Sequence, residues 1–235
     1  GWGAGKECAL IDRFILYGDP ASQVLLDKVA QRLNQSYPRN DGIVLSIGTT
    51  CWDSGGHYSD TVYSMSKKLG LFRVVPIKGA NMYGKPIANF PRKRSNKGVY
   101  LTEVGTDNAK ELIMAMMRTQ PSVDTRTPGA IHLPLNDSIC DDTELQQLTS
   151  ERKLPTRRDG RIVYRWEAGG RRNEALDCFV YALAALYVAI DRFGINLDSL
   201  SKVITNKDEN PSSTDESPKP KKMCWRVSPS ASTAR

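Results

Sequence analysis

The chain has 235 residues, 40% of them hydrophobic and 25% charged, enough for one sizeable domain with a tail. A formal net charge of +7 points to a polyanionic partner such as nucleic acid, with an ordinary basic soluble protein as the alternative. Cys8, Cys51, Cys140, Cys178 and Cys224 are scattered with no Cys-x-x-Cys pair, which argues against a disulfide framework or a zinc site and suits a reducing cytoplasm.

Cys8–Tyr17 is apolar and reads as a strand. Asp19 and Pro20 suit a helix start, and Val24, Leu25, Val29 and Leu33 carry the helix to about Ser36. Gly42–Asp53 reads as a buried strand closed by the turn Ser54-Gly55-Gly56. His57–Leu69 reads as a helix on the stripe Val62, Met65, Leu69, and Leu71–Gly79 as the next strand. This β–α–β–α–β alternation predicts an α/β domain with helices packed on a sheet.

Asn81–Gly98 is a polar, basic loop containing Arg92, Lys93 and Arg94. Val99–Val104 is a short strand, Asp107–Arg118 a helix, Gly129–Leu135 an extended segment and Asp141–Glu151 another helix. Arg152–Arg172 forms a strongly basic hairpin with Asp159-Gly160 at its turn. A long helix follows, from about Asn173 to Phe193. Its apolar run, Phe179–Ile190, is too short to span a bilayer of roughly 30 Å, and no signal peptide is present. Residues 1–204 form the domain, and 205–235 read as a disordered polar tail.

"GWGAGKE" at the start imitates a phosphate-binding Gly-rich loop, but Glu7 stands where that motif needs Ser or Thr. Asp53 ends an apolar strand. It is either a turn acid capping the helix near His57, or a metal-ligand carboxylate at the sheet's C-terminal edge.

Asp177 lies in the second turn of the long helix, past the usual capping positions, on a face with Val180, Tyr181, Ala184 and Val188. A buried carboxylate needs a partner. Arg171 or Arg172 could pair with it; alternatively Asp177 and Asp53 meet over the sheet and hold divalent cations. His57 and Glu174 are auxiliary candidates beside the two acids. Arg157, Arg158, Arg161, Arg171 and Arg172, interleaved with Tyr164 and Trp166, would hold a DNA backbone, with a solvated charged hairpin as the alternative.

Several segments together resemble one family. They are "WDSGGHYSDTVY" (Trp52–Tyr63), "PIKGANMYGKPI" (Pro76–Ile87), "LTEVGTDNAKELI" (Leu101–Ile113), "PGAIHLP" (Pro128–Pro134), "LQQLTSER" (Leu145–Arg152) and "RRNEALDCFVYALAAL" (Arg171–Leu186). In that order they are similar to the C-terminal nuclease domain of phage terminase large subunits of the lambda-like branch. The resemblance implies an RNase H-like fold, a mixed sheet flanked by helices. It also implies a metal-dependent endonuclease that cuts concatemeric double-stranded DNA during packaging, in the host cytoplasm. Mg²⁺ or Mn²⁺ in a two-metal site is implied, with Asp53 and Asp177 as catalytic metal ligands. Implied partners are DNA, the terminase small subunit and the portal or procapsid, with no membrane.

The chain opens on Gly1 rather than Met and reads as a fragment. By the resemblance, a first strand carrying a further acid, and an ATPase domain ahead of it, would precede Gly1. The alternatives are a non-catalytic DNA- or procapsid-binding remnant, or another RNase H-like nuclease.

Overall fold

A computed structural model describes residues 1–80, 83–122, 125–158 and 160–205. The tail from 206 onward and Asp159 of the anticipated turn lie outside the described residues.

Three parallel strands organise the molecule: β4 (Thr50–Asp53), β5 (Val74–Ala80) and β6 (Thr102–Gly105), in the order β4-β5-β6. Val74, Val75, Pro76 and Ile77 are all buried, as a strand covered on both faces must be. Val75 and Ile77 join the main core with residues of α3 (Thr106–Met117) and α5 (Glu174–Phe193). The alternate positions face α2 (Ser59–Leu69), whose Val62 and Met65 are buried. Ser66 of α2 donates its hydroxyl to the Val74 carbonyl at 2.5 Å, tying helix to strand.

The remaining strands pair two by two. β1 (Cys8–Ala9) runs parallel to β7 (Ile131–His132), and β2 (Ser36–Pro38) antiparallel to β3 (Val44–Ser46). β8 (Arg152–Arg158) and β9 (Arg161–Glu167) form the anticipated basic hairpin. The architecture is therefore mixed α/β, with parallel and antiparallel pairings flanked by helices.

Several expected elements are shorter or displaced. Only Cys8–Ala9 of the Cys8–Tyr17 run is strand, because its partner β7 is two residues long; Tyr17 is 84% exposed. Asp19 does not cap the first helix. Its carboxylate accepts from the Ala21 amide at 2.9 Å in a local turn, and α1 (Gln23–Leu33) starts after Ser22. Gly42–Asp53 breaks into β3 and β4, which pair with different partners, and Val44 is exposed. α4 (Asp142–Leu148) ends before Glu151, and its N-cap Asp141 accepts from the Glu144 amide at 2.7 Å. A sixth helix, α6 (Leu197–Thr205), was not anticipated. Its Asp198 accepts from the Gly5 amide at 3.0 Å, which closes the N-terminal turn onto the C-terminal end of the fold.

The long helix is α5. Leu176, Val180, Leu183 and Ala184 are fully buried in it, and it packs on β4, α3 and α4. At its far end Arg192 lies over the rings of Phe90, Tyr100 and Phe72, at 5.1, 5.8 and 6.0 Å from their centroids. Gly194 at φ 63° then ends the helix in the left-handed conformation that glycine adopts without penalty. Truncating the centre of this helix, Leu183→Ala, is expected to destabilise the fold by about 2–5 kcal/mol in urea unfolding, through lost burial and the cavity left behind.

Candidate active site

Asp53 is the last residue of β4, at the carboxyl edge of the parallel sheet. Its side chain is exposed, and its Oδ1 accepts from the Gly55 amide at 2.8 Å. It therefore serves its own turn rather than capping α2, which starts at Ser59 with Tyr58 as its uncapped N-cap. The other oxygen, Oδ2, accepts from the Tyr181 hydroxyl of α5 at 3.2 Å. His57 is exposed and lines, with Asp53, Trp52, Ser59 and Thr61, a cavity of about 250 Å³ beside the carboxylate.

Tyr181 lies one helical turn after Asp177, on the same face of α5. Burial, with the charges of Asp53 and Asp177 adding to it, pushes its phenol far above the ordinary value, so it remains a protonated donor. Through its bond to Asp53, Tyr181 links the sheet edge to the helix that carries Asp177.

Asp177 does not pair with either neighbouring arginine. Arg171 donates to the carbonyls of Ala168 and Ser150, bracing the base of the hairpin. The cation beside Asp177 is Lys110 of α3, whose Nζ stands 3.5 Å from Oδ1. Lys110 is held more closely by Glu151, at 2.7 and 2.8 Å to its two oxygens. Asn173 completes the ring: its Nδ2 donates to Glu151 Oε1 at 2.7 Å and to Asp177 Oδ2 at 3.1 Å.

Lys110 and Glu151 are buried, while the Asp177 side chain keeps 32% of its surface. Burial raises the Asp177 carboxyl above its ordinary value; Glu151 and Glu174 add to this, and Lys110 opposes it. Glu174 itself is exposed in the first turn of α5.

Lys110, Glu151 and Tyr181 were not among the residues singled out from the sequence. Lys110 and Glu151 are 41 positions apart, and neither sits in a pattern that marks burial. Tyr181 shares the Asp177 face, and its place one turn along was the one available signal. Asp12 belongs to a different cluster, accepting from the Tyr37 hydroxyl at 2.9 Å. The Gly-rich N-terminus is likewise engaged elsewhere: Lys6 donates to the Tyr187 hydroxyl at 3.0 Å, and Glu7 contacts His132 Nε2 at 2.8 Å.

Along the hairpin, Arg157 and Arg161 are exposed, as are Arg171 and Arg172 after it. Arg158 belongs to β8, but its side chain lies outside the described residues. Trp166 is only half-exposed, whereas Tyr164 is 53% exposed under the ammonium of Lys153.

The structure thus presents an acid at the carboxyl edge of a parallel sheet, an acid at the entrance of a buried helix, and a basic hairpin. The chain belongs to the family described as terminase large subunit gpA, endonuclease domain, whose model matches residues 1–194. It is 50% identical over 208 residues to the terminase large subunit of Escherichia phage lambda, covering 88% of this chain and 32% of that protein. It is 44% identical over 203 residues to the terminase large subunit of Enterobacteria phage P21, covering 86% of this chain and 32% of the relative. The chain thus spans about a third of the length of these curated relatives. No solved structure matches it.

The raised carboxyl of Asp177 has a consequence for stability. The folded chain binds that proton more tightly than the unfolded chain, so this residue weakens the fold at pH above its folded value, and the penalty vanishes as pH falls to the ordinary carboxylate range. Without divalent metal, Asp177→Asn is expected to be at least as stable as the unaltered chain at neutral pH. That advantage should shrink in urea titrations repeated near pH 4.

Proposed function

We propose that this chain is the nuclease portion of a viral DNA-packaging terminase large subunit, an RNase H-like domain that cuts concatemeric double-stranded DNA with Asp53 and Asp177. The observation that carries the reading is the hydrogen bond from Tyr181, one turn after Asp177 on α5, to the Asp53 carboxylate at the end of β4. Family membership gives the reaction class, and the parallel sheet with its acidic carboxyl edge fits the fold.

The donor set suits a hard divalent cation, since both candidates are carboxylates that solvent reaches: Asp53 is exposed and Asp177 keeps 32% of its side-chain surface. Asp53 and Asp177 would hold Mg²⁺ or Mn²⁺; among the described residues no group of three His, Cys, Asp or Glu that could hold a metal ion is found. When bound, such an ion supplies Lewis acidity toward water and a scissile phosphate. The protein's own contribution is positional. Gly55 and Tyr181 fix the Asp53 carboxylate, and Asn173 fixes one oxygen of Asp177.

His57 sits in the cavity beside Asp53, and Glu174 adds negative charge near Asp177. Arg157, Arg158, Arg161, Arg171 and Arg172 would contact the DNA backbone without reading its sequence. The small subunit, the portal or procapsid and the host cytoplasm belong to the same proposal. No helix among the described residues is long and apolar enough to cross a membrane.

A second reading, a chain that binds DNA or the procapsid without cutting, draws on the finding that among the described residues no group of three His, Cys, Asp or Glu could hold a metal ion. Plasmid nicking by a chain extended to the length of its curated relatives separates the two. Asp177→Asn and Asp53→Ala are each expected to lower the nicking rate by at least about a hundredfold while DNA binding persists. Nicking that survives Asp177→Asn would rule out the assignment. Replacing Arg157 and Arg161 together by Ala is expected to weaken DNA binding and reduce the slope of log affinity against log salt by about 2.

A further inference from the structure

We propose that Glu151 sets how strongly Asp177 binds a divalent cation, by holding the Lys110 ammonium away from it; this rests on the reading of Asp177 as a metal ligand. One cation lies among two anions here, and the geometry divides it unequally. Lys110 gives Glu151 two contacts, at 2.7 and 2.8 Å, and stands 3.5 Å from Asp177, at the outer limit of a hydrogen bond. The Glu151 side chain is 4% exposed and that of Lys110 10%, so their charges have little water to turn to and compensate each other. Asp177, with 32% of its side chain exposed, keeps most of its negative charge for a cation arriving from solvent.

Asn173 reinforces the division. It donates to Glu151 Oε1 and Asp177 Oδ2 together, which spaces the two carboxylates and keeps them from closing on Lys110 symmetrically. A neutral side chain at position 151 would leave the full ammonium charge to Asp177, where it would compete with an incoming ion. Glu151 is therefore a positioning residue that acts through Lys110, deep enough in the protein that it does not meet DNA.

Mn²⁺ affinity, read from the paramagnetic resonance signal of the free ion, tests this on the 235-residue chain, with thermal unfolding in chelator as a second readout. Glu151→Gln is expected to weaken Mn²⁺ binding by about tenfold or more, the lower end of what one nearby charge does to a carboxylate's affinity for a proton. Lys110→Gln is expected to tighten it. The double variant Lys110→Gln, Glu151→Gln is expected to bind within a few-fold of Lys110→Gln, since without the lysine Glu151 has no cation to act through.

Both single variants are expected to lose thermal stability; a merely structural role would also move their Mn²⁺ affinities in one direction, and that result, or no change in affinity, overturns the proposal. Should Glu151→Gln fail to fold, the comparison of Lys110→Gln with the double variant carries the test. Loss of Glu151 in the lysine-free background is then expected to weaken binding by no more than a few-fold. A larger loss would mean that Glu151 acts directly and would overturn its role through Lys110. Asp177→Asn serves as the control: Mn²⁺ binding that survives it removes the site assignment itself, whereas binding lost there but unchanged in Glu151→Gln removes this inference alone.

Discussion

The desolvation of one carboxylate governs the arrangement around α5. Asp177 sits where the helix enters the core, with Leu176 fully buried before it and Val180 fully buried after it. Nothing in the helix itself can neutralise it, so the surrounding elements must converge there. α3 delivers Lys110, the segment after α4 delivers Glu151, and the N-cap of α5 delivers Asn173. Removing either member of the buried Lys110–Glu151 pair would strand the other, at a cost of about 3–5 kcal/mol. The polar ring thus fixes the seating of α3 and α4 against α5 as firmly as the apolar contacts do, and it does so at the point where the chemistry is proposed to occur.

Asp53 is held on different terms. It is exposed, fixed by one backbone amide and one phenol, and placed by strand geometry rather than by burial. The two acids therefore differ in character. One is poised by a low-dielectric surrounding and a cation shared with Glu151, the other by a turn at the end of β4. Tyr181 is the point where the two systems meet, and its strongly raised phenol keeps the proton that makes the link.

Much of the frame was legible in the sequence because it rests on periodicity. The 20 residues of α5, the stripe of α2 and the basic hairpin are patterns that local physics imposes. Asp53 and Asp177 were legible because a charge at an apolar boundary breaks such a pattern. What could not be read depends on distance along the chain. Cys8–Tyr17 looks like one strand, yet the length of a strand is set by its partner, and β7 offers two residues. Arg171 and Arg172 were the natural partners for Asp177 by proximity, but the nearest ammonium comes from a helix far earlier in the chain. A single lysine on an amphipathic helix reads as solvated until the fold shows what covers it. Helix α6 went unnoticed because, although strongly amphipathic, it is only nine residues long and runs into a polar tail, and the Asp198 bond to Gly5 that seats it joins residues 193 positions apart.

The hairpin and the acidic ring share a root. Glu151 immediately precedes Arg152, the first residue of β8, while Arg171, beyond the end of β9, clamps back onto the Ser150 carbonyl. The two strands leave the body from the same few residues that hold Lys110. A load applied along the hairpin, as when a duplex lying on it is drawn past, would be borne first by Ser150, Glu151 and Arg171. In mechanical terms the ring around Asp177 is the footing of a lever, and tension on the hairpin would reach the carboxylate through a path only a few residues long.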